Sequence, residues 1–144
     1  MPHPYCYPHP HPALTVDIIL LLHGERGPEV LLIQRKHPPF EGQWAFPGGF
    51  VEENEPLVVA AQRELREETH VEGIRLRQLR AFGTPGRDPR GWTVTVAFWA
   101  WLEGSPPIVC PDDDAADAAW WPLNNLPPLA FDHAQIIEHA QALI

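Results

Sequence analysis

GGFVEENEPLVVAAQRELREETHV, residues 48 to 71, is the stretch on which the reading of this chain turns. It follows a short apolar run, Trp44 to Phe46, and Pro47. Gly48 and Gly49 then mark a loop, since adjacent glycines permit backbone conformations closed to other residues. Asn54 or Glu55 is placed to cap a helix whose first turn contains Pro56, and the apolar spacing carries that helix from Leu57 to about Thr69. At about 100° per residue, Glu64, Glu67 and Glu68 fall within roughly 100° of one another, on one helical face. Leu57, Val58, Ala61 and Leu65 form a stripe that overlaps and adjoins that face, so the acids lie at the margin of buried surface and not opposite it. Three carboxylates so placed repel unless a cation joins them. Hard oxygen ligands at this spacing suit Mg²⁺ or Mn²⁺, which bind through a few carboxylates, waters and phosphate oxygens.

Outward from this helix, Leu14 to Leu22 and Val30 to Ile33 are rich in β-favouring residues and nearly continuous in apolar character, with a turn at Gly24 to Pro28 between them. They read as buried strands. Further strands are expected at Ile74 to Phe82, Trp92 to Leu102 and Ala118 to Pro122, and Asp132 is placed to cap a last helix from His133 to Leu143. Strands and helices mixed in this order predict an α/β sandwich, a mixed sheet between helices. Residues 1 to 12 hold five prolines and His3, His9 and His11, a leader suited to extended conformation. One domain is expected over residues 13 to 144.

Composition narrows the function. The only long apolar run near the start is interrupted by Asp17, is far shorter than the ~18 residues of a membrane span and has no basic segment before it. Cys6 and Cys110 are too few for a disulfide framework, so a reducing, cytoplasmic setting is expected. A net charge of −9 opposes binding to a nucleic-acid polymer, which needs basic surface. It would also repel a polyphosphate ligand, unless the carboxylates collect divalent cations that then meet the phosphates.

Helix composition alone leaves a second reading open, in which Arg63, Arg66 and the acids are surface ion pairs. The wider pattern decides between them. Gly49, Glu55, Arg63, Glu64, Leu65, Glu67, Glu68 and Val71 match the signature G-x5-E-x7-R-E-U-x-E-E-x-G-U, U being bulky aliphatic, at eight of nine fixed positions. The sequence therefore resembles the Nudix hydrolases. His70 stands where the signature has glycine, at a helix end that favours left-handed backbone.

That resemblance implies a Nudix-like α/β/α sandwich with a central mixed sheet, a divalent-metal site and cleavage of the diphosphate bond in a nucleoside diphosphate derivative. By position, Gly48 (through its carbonyl), Glu64, Glu67 and Glu68 are the implied metal ligands, with Mg²⁺ or Mn²⁺ as cofactor. Glu67 and Glu68 are candidates for catalysis, and Arg63 with Glu55 looks like the pair that orients them. Downstream, Gly83 to Gly91 carries a Pro85-Gly86 element similar to that of ADP-ribose-cleaving members. Arg87 and Arg90 beside it are candidate substrate contacts, with a solvated turn as the alternative. Asp112, Asp113 or Asp114 is a candidate base, Asp113 the central choice, with a solvated acidic loop as the alternative. ADP-ribose hydrolysis to AMP and ribose 5-phosphate is the leading expectation. NADH, dinucleoside polyphosphates and oxidised nucleoside triphosphates stay open, as does an ADP-ribose sensor without turnover. The intact carboxylates and the lack of a basic segment after Ile144 count against the sensor. A homodimer is expected from the resemblance alone.

Overall fold

The run from Ile18 to Leu22 is apolar at successive positions because it is covered on both faces. The computed structural model describes residues 5–111 and 114–144. Among these residues, seven strands form one sheet: β1 (Ala13–Gly24), β2 (Gly27–Arg35), β3 (Trp44–Ala45), β4 (Gly48–Phe50), β5 (Arg77–Phe82), β6 (Thr93–Leu102) and β7 (Ala115–Pro122). Two helices complete the chain, α1 (Leu57–Thr69) and α2 (His133–Leu143). Even-numbered β1 residues Val16, Ile18 and Leu20 pack with Ala60, Ala61 and Leu65 of α1. Odd-numbered Ile19 and Leu21 pack with Ile136, Ile137 and Ala140 of α2. The period of two thus divides one strand between two cores, and the expected α/β/α sandwich is the result. No helix among the described residues is long and apolar enough to cross a membrane.

The sheet is mixed, with β1 parallel to β6 along its length and antiparallel to β2. The β1–β2 hairpin zips only from Gly24 and Gly27 to Leu21 and Val30. Beyond that point the two strands part. Thr15 to Asp17 of β1 pair with β4, while Ile33 and Gln34 of β2 pair with β3. Phe46 and Pro47 link β3 to β4, and the Ile18 N–H donates to the Pro47 carbonyl at 2.8 Å. The expected loop at Gly48 is therefore a strand, built because β1 would otherwise carry unpaired backbone groups there.

Helix α1 has the expected bounds but not the expected start. Pro56 is the N-cap residue, in extended conformation, and no side chain caps the helix. Asn54 instead takes a left-handed turn conformation (φ 61°), and Glu55 accepts the Glu52 N–H at 3.0 Å. Asp132 likewise occupies the N-cap of α2 without a capping bond. Residues 74–76 precede β5, and β7 begins three residues before its expected start. Residues 5–12 of the leader are exposed and outside regular structure, with the Tyr5 hydroxyl donating to Glu53 at 3.0 Å. His3 lies outside the described residues.

At the end of α1, His70 is left-handed at φ 62° and ψ 16°, its N–H donating to the Arg66 carbonyl at 2.8 Å. A residue with a Cβ holds that conformation at a cost that glycine avoids, and the His70 side chain is exposed. His70→Gly should stabilise the protein by about 1 kcal/mol in urea unfolding. An unchanged or lowered midpoint would show that the His70 side chain contributes contacts that offset the strain.

Candidate functional site

The parting of β1 from β2 opens a cleft of about 540 Å³, floored by Asp17, Phe46 and Gly48 and walled on one side by α1. Gly48 and Gly49 are extended, not left-handed, so their role is spatial. A Cβ on Gly49 would lie 2.5 Å from a Glu64 carboxylate oxygen, and one on Gly48 would strike the Val16 carbonyl and the Asp17 carboxylate. At Gly48 the neighbour is backbone, so only glycine lets β4 lie this close to β1, while a Cβ at Gly49 would displace the Glu64 carboxylate.

Arg63 organises the acids. Its Nε and Nη2 donate to the two Glu55 oxygens at 2.7 and 2.9 Å, its Nη1 donates to Glu64 at 2.7 Å and to Glu67 at 3.2 Å, and Nη2 also reaches the Phe50 carbonyl at 3.1 Å. The Arg63 fork, the largest influence, holds Glu55 down to about 2, and the same bonds raise Arg63. Glu64 is shifted upward by burial, against the pull of Arg63. Glu68 is pushed up to about 9, first by burial and then by the Glu64 charge, although the Gly48 N–H favours its ionised form. Its Oε2 is buried and has no hydrogen-bond partner.

A buried carboxylate oxygen without a donor, beside a second acid, fits a cation. Among the described residues no three His, Cys, Asp or Glu side chains gather into a closed metal cage. Two carboxylates and open space are what Mg²⁺ accepts, since it keeps waters and shares phosphate oxygens.

The opposite wall carries cations. Arg87 is nearly buried and makes a bidentate pair with Asp132 at 2.8 and 2.6 Å, so the acid expected to cap α2 holds this arginine instead. Arg90 pairs with Asp88 at 3.1 and 2.8 Å. Below them the Asp17 carboxylate accepts the Thr95 hydroxyl at 2.6 Å and lies 3.5 Å from His133 Nε2. Burial alone would raise the Asp17 pKa, but the His133 and Thr95 contacts and the Arg87 charge outweigh it and bring it below its ordinary value. His133 Nδ1 accepts the Phe46 N–H at 3.1 Å, at the point where β3 has ended and β4 has not begun.

A family model of the NUDIX domain matches residues 11–140. The chain belongs to the Nudix family. An ADP-ribose pyrophosphatase of Methanocaldococcus jannaschii is 42% identical over 127 residues, covering 88% of this chain and 72% of that protein. The ADPR responsive transcriptional repressor NtrR of Acinetobacter baylyi is 35% identical over 91% of this chain, which spans about half (54%) of the repressor's length. The solved NUDIX domain of Shewanella oneidensis NrtR, complexed with ADP ribose, aligns with a TM-score of 0.86 and 39% identity, covering 93% of this chain and 89% of that one.

Within this Nudix domain the residues singled out from sequence separate by position. Gly48, Arg63, Glu64, Glu68, Arg87 and Arg90 line the cleft. Glu67 does not, since its half-exposed carboxylate turns to Arg63. Pro85 is exposed outside the lining. Asp114 lines the cleft, whereas Asp112 and Asp113 lie outside the described residues. Sequence reading missed Asp17 and Arg35, both of which line it. A charged residue inside a buried apolar run was the available signal for Asp17. Arg35 carried none, because a strand-end arginine is ordinary.

The raised Glu68 pKa sets a pH dependence. An unfolded glutamate titrates near about 4.3. A folded group held near 9 favours folding below the unfolded value and loses that contribution as pH rises through the folded one. In chelator, the melting temperature should fall between pH 5 and 9, and Glu68→Gln should flatten the slope. A variant with the parent's slope would remove Glu68 as the cause.

Proposed function

We propose that this Nudix domain is a Mg²⁺-dependent hydrolase that cleaves the diphosphate of ADP-ribose to AMP and ribose 5-phosphate. The observation that carries the reading is the Glu64–Glu68 pair, with a donorless buried oxygen on Glu68, facing a wall of arginines across one cleft. Glu64, Glu68 and the Gly48 carbonyl would hold the metal, with Mn²⁺ as the alternative ion. The bound ion would neutralise phosphate charge and lower the pKa of an attacking water. Arg63 leaves Glu64 a second oxygen for that purpose, because its bond is to Oε1 alone. Arg90 faces the substrate, while Arg87, spent on Asp132, fixes the turn that presents Arg90. Asp114 is the described member of the acidic loop that reaches the cleft and is the candidate to orient or deprotonate water.

The relatives support the substrate class, since the pyrophosphatase is named for ADP-ribose and the NrtR domain was solved in complex with it. The likeness to NrtR also favours a second reading, an ADP-ribose sensor without turnover. AMP release distinguishes them. With Mg²⁺, ADP-ribose should give a higher kcat/KM than ATP, dGTP or 8-oxo-dGTP. Glu64→Gln and Glu68→Gln should each lower kcat by roughly 10² to 10⁴, the loss of ~3 to 5 kcal/mol of transition-state stabilisation. Glu138→Gln, on the exposed face of α2, should match the parent. Binding of ADP-ribose with no AMP release from the parent would establish the sensor. Parent-like rates in both carboxylate variants would place the metal elsewhere.

A further inference from the structure

The chain has six tryptophans and two tyrosines, and among the described residues none of them lines the cleft. The phenylalanines that do are Phe46, Phe50 and Phe131. Phe46 is buried and its ring is covered by His133 at 4.7 Å, which leaves Phe50 and Phe131 to offer a face. Phe50 is 47% exposed and lines the cleft, so its ring is open to a ligand there. The Arg90 guanidinium lies 5.4 Å from the Phe50 ring centre and 5.3 Å from that of Phe131. The Arg35 guanidinium lies 4.9 Å from the same Phe131 ring. Cation and ring therefore alternate, Arg35, Phe131, Arg90, Phe50. Phe131 holds its place at φ 53°, a conformation that a residue of this bulk rarely adopts, and such outliers gather where a ligand is gripped.

We propose that Phe50 and Arg90, backed by Phe131 and Arg35, form the platform on which the planar base of a nucleotide substrate stacks. The inference rests on the reading of this cleft as the site of nucleoside diphosphate hydrolysis. Arg90 spends Nε and Nη2 on Asp88, so its guanidinium is a fixed plane against the Phe50 and Phe131 rings and not a free fork. With the Arg90 cation over one face of Phe50, the other face of that ring suits a heteroaromatic base, which stacks on it with the charge behind. A purely apolar ligand would not suit a wall with two guanidiniums. A bare phosphate would leave the Phe50 face unused.

The experiment uses the two products, AMP and ribose 5-phosphate, titrated calorimetrically into the full chain with Mg²⁺. Neither carries a diphosphate, so binding is read without turnover. The parent should bind AMP at least about five-fold more tightly than ribose 5-phosphate, because one stacked base is worth roughly 5- to 150-fold in affinity. Phe50→Ala should remove most of that difference and leave ribose 5-phosphate binding unchanged, while Phe50→Tyr should restore it. Arg90→Lys, which keeps the charge and loses the plane, should weaken AMP binding as well. AMP binding no tighter than ribose 5-phosphate in the parent, or unchanged by both Phe50→Ala and Arg90→Lys, overturns the platform. ADP-ribose hydrolysis together with either result leaves the hydrolase reading intact. Loss of AMP affinity in Phe50→Ala, in a parent that releases no AMP from ADP-ribose, keeps the platform and overturns the hydrolase.

Discussion

The Arg63 guanidinium is the contact on which the site depends. A single planar group reaches the loop through Glu55, β4 through the Phe50 carbonyl, and the carboxylate helix through Glu64 and Glu67. Lysine could not make these bonds together, because a point charge lacks a rigid fork of five donors. The arrangement also sorts the three helix acids. Glu67 is drawn outward, Glu64 is held by one oxygen, and Glu68, on the next turn, keeps a buried oxygen that nothing satisfies. Without Arg63, two acids in one cleft would face each other with no fixed cation, and ordering them would cost free energy at every binding event.

The arginine can work only because the chain brings the loop and helix together, and that follows from the parting of β1 and β2. A hairpin paired over its full length would leave no room for β4. Once it splits, each strand needs a new partner, and β3 and β4 are the short strands that satisfy them. The connecting Phe46 N–H then belongs to neither ladder, and His133 accepts it from across the molecule. Because that bond occupies Nδ1, a ring proton is directed to Nε2, toward Asp17. Adjacent residues at the start of α2 therefore serve the cleft twice, Asp132 on Arg87 and His133 on Phe46. A helix start without a capping bond is the local cost of this.

What was legible in the sequence was what repeats. The nearly continuous apolar run of β1, the helical spacing from Leu57 to Thr69 and the fixed spacing of the acids all survive in the structure. The left-handed backbone at His70 was legible as well, since the signature has a glycine at this helix end. What was not legible depends on distant partners. Asp132 has a side chain suited to capping, yet it is taken by Arg87, which tertiary packing places nearby, whereas the Glu55–Arg63 pair followed from the signature. Gly48 and Gly49 suggested a flexible loop, whereas their missing Cβ atoms make room for Asp17 and Glu64. Arg35 and Phe131 are 96 positions apart in the chain, and no spacing rule joins them.

The net charge of −9 left a conflict with an anionic ligand, and the cleft resolves it by geometry. Negative charge lies on α1, where burial shifts Glu64 and Glu68 upward and the Glu64 charge adds to the shift at Glu68 unless a cation joins them. Positive charge lies across from it, on Arg35, Arg87 and Arg90, of which Arg87 and Arg90 are held by Asp132 and Asp88. Those pairings matter for function as much as for stability. An arginine neutralised at its fork still presents a weakly hydrated plane, and a ring stacked on that plane loses little water. One wall is then suited to a metal and phosphate, the other to a flat base. A ligand carrying both groups spans the cleft, whereas a ligand carrying one engages only half of it. Discrimination of that kind needs no excess of positive charge on the protein as a whole, since a local field in a low-dielectric cleft outweighs the screened charge of the outer surface.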